Sequence, residues 1–354
     1  MLVAGLVTLV QLYAIGPIGG KVPIIMGTSS GFLGVMKSVA ASMGGGVVAY
    51  GAILGASIIG GLFETVLGFF IKPLRKLFPP VVTGTVVLAI GLSLISVGVN
   101  SFAGGSGAKD FGSLENLAVG AAVLVVIVML KHFTKGITST SSILFGIIFG
   151  YVLCAVMGMC LPHTAVNAEG VEFTKSWVLN WSKIADAAWF SVPALLPVKP
   201  TFEMAAIIPV CIMFIVTAVE TVGAIFLVLC GLSPKLAAVV SIMPQSVLGG
   251  AAVMMFSSIA ISGIQLITKY GITSRIITIV SVSLGVGYGL GVTSGAITGL
   301  GSGINLVFGG GIVPAALLAI VLNVLIPKGK DDIAAEEAAA HMEALKAQKL
   351  AEKE

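Results

Sequence analysis

Residues 207–229 read IIPVCIMFIVTAVETVGAIFLVL, and Glu220 is the only charged side chain in that stretch. The segment is long and apolar enough to cross a membrane as a helix. A carboxylate at such depth is costly to desolvate, so intramembrane acids usually bind a proton, a cation or a polar substrate. A Glu that is merely hydrogen-bonded to a neighbouring helix is the alternative. We favour a functional role for Glu220.

The composition predicts an all-α polytopic membrane protein. Of the 354 residues, 57% are hydrophobic and only 10% are charged, and the mean hydropathy is +1.11. A soluble domain carries about a quarter charged residues. The 46 glycines suit close helix packing in lipid. Basic residues cluster in short loops, which indicates membrane topology rather than nucleic-acid binding.

The sequence carries no motif of an enzyme. No HExxH zinc motif, no phosphate-binding loop and no nucleophile–base pair is present, and the four cysteines lack metal-ligand spacing. We therefore predict that the protein is not an enzyme and uses no cofactor or metal.

Hydropathy divides most of the chain into membrane-crossing segments. A further apolar piece, residues 1–16, is short for a full crossing, and the Gly- and Ser-rich residues 24–31 suggest a short extended element. In the polar loop 162–202, Trp177, Trp181 and Trp189 suit a membrane interface. Crossing segments are predicted at 46–71, 81–102, 116–134, 137–161, 203–231, 246–267, 276–293 and 304–326.

Two apolar segments begin alike. Residues 79–87 (PPVVTGTVV) and 244–252 (PQSVLGGAA) share the pattern Pro-x-x-Val-x-Gly. Weak internal repeats of this kind mark secondary transporters.

Four further stretches resemble the nucleobase–cation symporters, in their xanthine/uracil permease branch, also called nucleobase–ascorbate transporters. The stretches are residues 22–32 (VPIIMGTSSGF), 80–92 (PVVTGTVVLAIGL), 214–223 (FIVTAVETVG) and 243–251 (MPQSVLGGA). The resemblance implies a fold of fourteen segments in two inverted repeats, with a core and a gate domain. It also implies an inner-membrane location and a homodimer through gate helices.

The resemblance also implies a substrate site. Ser30 falls where the family offers a backbone N–H to the nucleobase, with Ser29, Gly31 and Phe32 around it. The aromatic residue usual at that position is absent, and Phe32 lies two residues further on. Glu220 matches the eighth-segment Glu that accepts N–H groups of the base, and charge-assisted bonds of this kind are strong. Its protonation would couple uptake to H⁺, although Na⁺ stays open.

The chain departs from the family in two places. The first segment, with its Gln-His motif, is expected before residue 1. After Gly223 the match jumps: Ala224 replaces a family acid, and the following residues resemble the end of segment eleven. The Asn-x-Gly signature of the tenth segment occurs nowhere. We therefore predict that an internal stretch after Gly223 is missing, and with it half of the expected site.

The distribution of basic residues gives the same prediction independently. Lys72, Arg75 and Lys76 define a cytoplasmic loop, but a single crossing at 203–231 would then place Lys269 and Arg275 outside. An odd number of extra crossings near residue 224 restores the basic loops to the cytoplasm.

The predicted function is purine transport (xanthine or uric acid) by proton symport, across the lipid bilayer. A uracil-type permease and a non-transporting membrane remnant are the alternatives, and an anion transporter of the same broad fold is disfavoured by Glu220. The predicted divisions are core segments 2–4 at 1–71, gate segments 5–7 at 72–161, an extracytoplasmic loop at 162–202, core segment 8 at 203–223, the end of segment 11 with gate segments 12–14 at 224–327, and a charged cytoplasmic tail at 328–354.

Overall fold

The computed structural model describes residues 2–13, 32–69, 78–166, 171–189, 198–217, 234–293, 304, 307–335, 337–339 and 341. Almost all regular structure in these ranges is helical. The helices are α1 (Leu2–Tyr13), α2 (Phe32–Ser42), α3 (Gly46–Phe69), α4 (Pro80–Phe102), α5 (Leu114–Phe133), α6 (Ile137–Thr140), α7 (Ser142–Cys160), α8 (Trp181–Ala185), α9 (Met204–Thr217), α10 (Pro234–Ser241), α11 (Gln245–Ile267), α12 (Ser274–Val292) and α13 (Ile312–Leu325). Two strands, β1 (Thr164–Val166) and β2 (Glu172–Thr174), form an antiparallel hairpin.

Six of these helices are long and apolar enough to cross a membrane, namely α3, α4, α5, α7, α11 and α12. This confirms the predicted all-α membrane fold. The described parts of α9 and α13, with 14 residues each, fall within the predicted segments 203–231 and 304–326. The extended element predicted at 24–31 lies outside the described residues.

Contacts divide the chain into two compact units. The first comprises residues 1–28, 94–195 and 221–257, and the second comprises 29–93, 196–220 and 258–354. Within the first unit α5 packs on α7. Within the second unit α3 packs on α2 and α9, and α12 packs on α13. The division into core and gate domains stays a prediction.

The backbones of α4 and α11 approach closely over many turns. A Cβ atom on Gly91 would lie 2.5 Å from the backbone nitrogen of Ala260, and one on Gly84 would lie 2.8 Å from the carbonyl oxygen of Gly263. Further along α4, Gly98 faces Val253. The residue numbers rise along one helix as they fall along the other, so the two helices run antiparallel. Only residues without a side chain allow backbones to pack this closely in lipid.

The Pro-x-x-Val-x-Gly repeat accounts for both ends of this contact. Gly84, in the first copy, lies against the end of α11 at Ile267, and Gly249, in the second copy, lies against the end of α4 at Phe102. The two repeat valines, Val82 and Val247, are fully buried. Each copy therefore begins a helix whose first glycine contacts the last turn of the other helix, so the two copies make reciprocal contacts.

Basic residues collect at one end of these helices. Ile267, Thr273, Arg275 and Lys328 line the same cavity as Pro79 and Pro80, which in the sequence closely follow the basic residues Lys72, Arg75 and Lys76. By the positive-inside rule this is the cytoplasmic end. The structure thus gives Arg275 and Lys328 the cytoplasmic location that the sequence predicts for a chain with additional crossings near residue 224.

The helix directions leave too few residues between α9 and α10. The α9 helix runs parallel to α3, since Gly51 lies beside Lys199 and Gly60 beside Phe214, and α9 therefore starts at the outer end. The α11 helix also starts at the outer end, where Gln245 lies against Gly105, and α10 directly precedes it. Because α9 and α11 start on the same side of the membrane, the chain must cross the membrane an even number of times between these two starts, counting α9 itself. Two helical crossings need about 40 residues, whereas the interval 204–244 holds 41, of which eight form the separate helix α10.

The loop after α7 differs from its sequence prediction. Trp177 is fully buried in the core of the first unit, among Val119, Val123 and Leu179, and is not at an interface. Lys175 and Ser176, which directly precede Trp177, hydrogen-bond to Glu115, Asp110 and Asn116 and hold this part of the loop against the start of α5. Trp181 and Trp189 are exposed, as expected for interfacial residues.

The helix directions predict which positions a membrane-impermeant thiol reagent reaches. In a chain whose own cysteines are replaced by serine, Ser241→Cys will react in intact cells because it lies at the outer end. Ser274→Cys will react only after permeabilisation because it lies at the cytoplasmic end. Both side chains are exposed.

Ser106→Cys in the outer turn and Lys135→Cys in an inner loop calibrate the two sides. Labelling of Ser274→Cys in intact cells would contradict the antiparallel arrangement of α4 and α11.

Candidate substrate and coupling site

The structure describes one of the five predicted site residues. Phe32 is the first residue of α2, whereas Ser29, Ser30, Gly31 and Glu220 lie outside the described residues. The roles of all five therefore stay predictions. The helices that flank them along the sequence are described, and they meet.

Phe32 joins α2 to α9. Its ring is 7% exposed and packs edge-on against Phe214, with the ring centroids 4.7 Å apart and an interplanar angle of 63°. Edge-to-face contacts of this kind are favourable because the positive edge of one ring meets the negative face of the other. Phe214 in turn fills the space beside Gly60 of α3, which a Cβ atom would occupy.

The start of α9 is fixed to α3 through backbone atoms. The amide N–H of Thr201 donates to the carbonyl of Gly51 at 3.0 Å, and the carbonyl of Thr201 lies where a side chain on Gly55 would be. Gly51, Gly55 and Gly60 thus form a glycine face along which α9 lies in parallel.

These contacts connect the two parts of the predicted site that this chain contains, through the residues next to them in sequence. Ser29, Ser30 and Gly31 directly precede Phe32, and Glu220 follows Phe214 by six residues. The Phe32–Phe214 contact therefore joins the helix that begins after the predicted backbone donor to the helix that leads to the predicted carboxylate.

Glu64 is the carboxylate that the structure places near this contact. It lies on α3 four residues after Gly60, so it is on the same face of the helix and about one turn closer to the cytoplasmic end. Its side chain is half-buried. Its place in the sequence, about two turns before Lys72, would by itself predict a structural role, as a residue that snorkels or pairs near the cytoplasmic end.

A polar cluster at the outer end was missed by sequence reasoning. One carboxylate oxygen of Asp110 accepts hydrogen bonds from the side chain of Asn116 at 3.1 Å and from the backbone and hydroxyl of Ser176 at 2.9 and 3.0 Å. Beside it, Lys175 and Glu115 form an ion pair of 2.6 Å. The partners are up to 66 residues apart, so no local pattern reveals them. The cluster fixes the loop after β2 to the start of α5.

A second polar cluster closes the cytoplasmic end of the second unit. Arg275 donates to the carbonyls of Ile326 at 2.8 Å and Asn323 at 2.7 Å, and thereby caps α13. Asp332 accepts from the hydroxyl of Thr273 and from the backbone N–H of Gly329 at 2.7 Å. Burial alone would raise the pKa of Asp332, but these two hydrogen bonds and the nearby positive charges outweigh it and lower that pKa.

Neither cluster has the chemistry of a catalytic centre. Within the described ranges no group of three or more His, Cys, Asp or Glu side chains could hold a metal ion. The described helices instead form a membrane transporter scaffold, with six apolar crossings, an inverted helix repeat, and aromatic and glycine contacts beside a carboxylate-bearing segment.

The chain belongs to the Permease family (Xan_ur_permease), whose sequence profile it matches over residues 1–228 and 222–295. It is a membrane transporter and not an enzyme. The Clostridium perfringens protein named "Putative purine permease" is 32% identical, over 91% of this chain and 80% of its own length. The uric acid permease PucK of Bacillus subtilis is 29% identical, over 91% of this chain and 85% of its own length. The Escherichia coli uric acid transporter UacT is 28% identical, over 90% of this chain and 76% of its own length.

The same alignments reveal an internal gap. The alignment with the C. perfringens protein extends over 387 positions but contains 91% of this 354-residue chain, which is about 322 residues. Subtracting 322 from 387 leaves about 65 positions of the relative without a counterpart here. The two profile matches divide at residues 222–228. This agrees with the predicted break after Gly223 and with the short connection between α9 and α10.

Replacing Gly60 tests the contact between α3 and α9. Gly60→Val will lower the free energy of unfolding by about 1–3 kcal/mol, because the new side chain overlaps a Phe214 ring that is already packed against Phe32. Gly61→Val is the matched control, since nothing lies within 4 Å of a Cβ atom there. Thermal unfolding of the purified protein in detergent measures both. Equal losses in the two variants would rule out the described contact.

Replacing Asp332 tests the cytoplasmic cluster and its dependence on pH. Because the folded-state pKa lies below the ordinary value of 3.8, the ionised carboxylate stabilises the fold above that value and loses this contribution as pH falls through the folded pKa. Asp332→Asn will therefore unfold more easily, by about 1–2 kcal/mol.

The difference in the free energy of unfolding between wild type and Asp332→Asn will stay constant between about pH 5 and about pH 8 and will shrink below about pH 4. Asp331→Asn, at the exposed neighbouring position, is the control. A difference that instead grows on acidification would show that the sign of the pKa shift is wrong.

Proposed function

We propose that this protein transports a purine nucleobase, xanthine or uric acid, across the cell membrane by proton symport. The observation that carries the proposal is the family match over residues 1–228, which includes all five predicted site residues. The relatives named as purine, xanthine and uric acid permeases support a purine rather than a pyrimidine.

The chemistry of a purine suits the proposed residues. A purine ring presents N–H donors and carbonyl or ring-nitrogen acceptors in one plane. The carboxylate of Glu220 would accept N–H groups through charge-assisted hydrogen bonds, and a backbone N–H at Ser30 would donate to an acceptor on the other side of the ring. Ser29, Gly31 and Phe32 would complete that side. The packing of α2 on α9 at Phe32 and Phe214 supports this arrangement because it joins their flanking helices.

Glu220 also supplies the proposed coupling. A carboxylate surrounded by apolar side chains binds a proton more readily than one in water, because burial disfavours its charged form. A proton taken up with the base outside and released inside would drive accumulation. Sodium coupling is the alternative, and a homodimer through the gate helices remains a further prediction of the family resemblance.

A non-transporting membrane protein is the second candidate. Two observations favour it: about 65 positions of a relative have no counterpart in this chain, and the profile match divides at residues 222–228. Such a protein would retain the packed helices and serve as an assembly partner. A transport measurement separates the two candidates.

Uptake of radiolabelled xanthine, uric acid and uracil in cells that lack their own permeases tests the proposal. Wild-type protein will accumulate a purine, and Glu220→Gln will not, because an amide cannot carry the proton and its NH₂ group opposes the N–H donors of the base. Glu203→Gln is the matched control, since Glu203 is exposed and precedes α9. Expression of each variant in the membrane is checked in parallel.

The driving ion is read from the same assay. Proton symport predicts that uptake increases at acidic external pH, stops with a protonophore and ignores removal of Na⁺. Absence of uptake by wild-type protein that is present in the membrane would favour the non-transporting candidate. Accumulation of uracil in place of purines would favour a uracil-type permease.

A further inference from the structure

Glu64 places a carboxylate in the last two turns of α3, within a helix that is otherwise almost entirely apolar. The stretch of α3 that is long and apolar enough to cross a membrane extends from Gly46 to Val66 and includes Glu64. Ionisable side chains at such positions are rare because of their desolvation cost, and they mark ion and substrate pathways.

Glu64 continues the buried face of α3 rather than its lipid face. Ala49, Ala52 and Ala56 are almost completely buried, Gly60 is buried, and Glu64 follows at the same helical spacing. The opposite face carries the exposed residues Ile58, Leu62 and Val66. A snorkelling residue that only reached the headgroups would be expected on that second face.

The face of α3 that carries Glu64 also carries Gly60, beside the contact between Phe214 and Phe32. Gly60, one turn earlier, holds the ring of Phe214, which packs on Phe32. About 6 Å separates side chains that are four residues apart on a helix. Glu64 therefore lies on the cytoplasmic side of the contact that joins the helices flanking the proposed substrate site.

The other titratable groups on the elements packed against α3 are few. The α9 helix carries Cys211, with Glu203 just before its outer end, and α2 carries the exposed Lys37. Tyr50 lies near the outer end of α3 itself. Within the described part of the chain, Glu64 has no hydrogen bond and no ion pair with any of them. Its half-buried carboxylate is thus without a charge partner among the described residues.

We propose that Glu64 is a second proton-binding carboxylate of the transport cycle, located on the cytoplasmic side of the substrate site. This inference rests on the proposed function. The step is a simple proton exchange, in which the carboxylate takes up H⁺ to become a neutral carboxylic acid and later returns H⁺ to the cytoplasm. A single carboxylate among apolar side chains suits a proton, whereas a metal ion needs several ligands.

The first test measures protonation without any transport. Acidification of the purified full-length protein, followed by infrared difference spectroscopy, will produce a carboxylic acid C=O band. Glu64→Gln will remove a component of that band, and Glu337→Gln, at an exposed position of the tail, will leave the component in place. If the spectra of Glu64→Gln and wild type are the same, Glu64 does not bind the proton and the proposal is overturned.

The second test separates coupling from substrate binding. A proton that crosses with the base at a potential on the order of 100 mV supports about fifty-fold accumulation. Glu64→Gln will reduce accumulation to about the external concentration but will still exchange external for internal purine. Glu64→Asp will restore part of the accumulation, and Thr65→Ala, whose hydroxyl bonds only to its own helix, will accumulate like wild type.

The outcomes of the two tests distinguish failure of this proposal from failure of the proposed function. If Glu64→Gln accumulates purine like wild type, the proposal is overturned. If Glu64→Gln loses both purine exchange and folded protein, the role of Glu64 is structural and the proposal is also overturned. If wild type shows no uptake but the infrared band component assigned to Glu64 is present, the proposed function is refuted, and so is any role of Glu64 in transport. Glu64 would then still be a proton-binding residue.

Discussion

The direct backbone contact between α4 and α11 is the constraint on which the rest of the structure depends. In lipid there is no hydrophobic force to drive helices together, so close packing of small residues takes its place. Gly84, Gly91 and Gly249 remove the side chains that would keep these two helices apart. Their antiparallel contact fixes the direction of α11, and through it the side of the membrane on which Lys269 and Arg275 lie.

That fixed direction has a consequence for the middle of the chain. Because α11 must start at the outer end, and α9 starts there as well, the residues between them have to cross an even number of times. The interval 204–244 holds 41 residues, of which eight form the separate helix α10, and about 65 positions of a relative have no counterpart in the chain. Basic-residue distribution and helix direction each indicate a missing stretch between α9 and α11, the alignment length indicates that positions are missing, and the profile match divides at residues 222–228.

Much of the architecture could be predicted from the sequence because it depends on local properties. Hydropathy predicted the crossing helices. The hydroxyl of Thr85 donates to the carbonyl of Val81 in its own helix at 2.7 Å, as expected for a Thr in an apolar helix. The Pro-x-x-Val-x-Gly repeat indicated a secondary transporter. The helix that each glycine faces could not be predicted, because a close contact depends on a partner far away in sequence.

Features that depend on distant residues escaped prediction. The bonds among Asp110, Asn116 and Ser176 join residues of two separate loops and the first turn of α5, and they explain why Trp177 is buried although its sequence context resembled an interface. The β1–β2 hairpin within the same loop also went unpredicted because its strands are only three residues long. At the candidate site, the sequence identified Glu220 from its surroundings, whereas the position of Glu64 beside the Phe32–Phe214 contact came only from the packing of α3.

The central claim is that the packed helices still present a purine site despite the missing stretch. Equilibrium binding of labelled xanthine and uric acid to the purified protein in detergent tests it most directly, with folding verified by a cooperative thermal transition. The account predicts saturable binding of a purine that raises the midpoint of that transition in proportion to occupancy. A cooperatively folded protein that binds neither purine, and whose transition is unchanged by them, would contradict it.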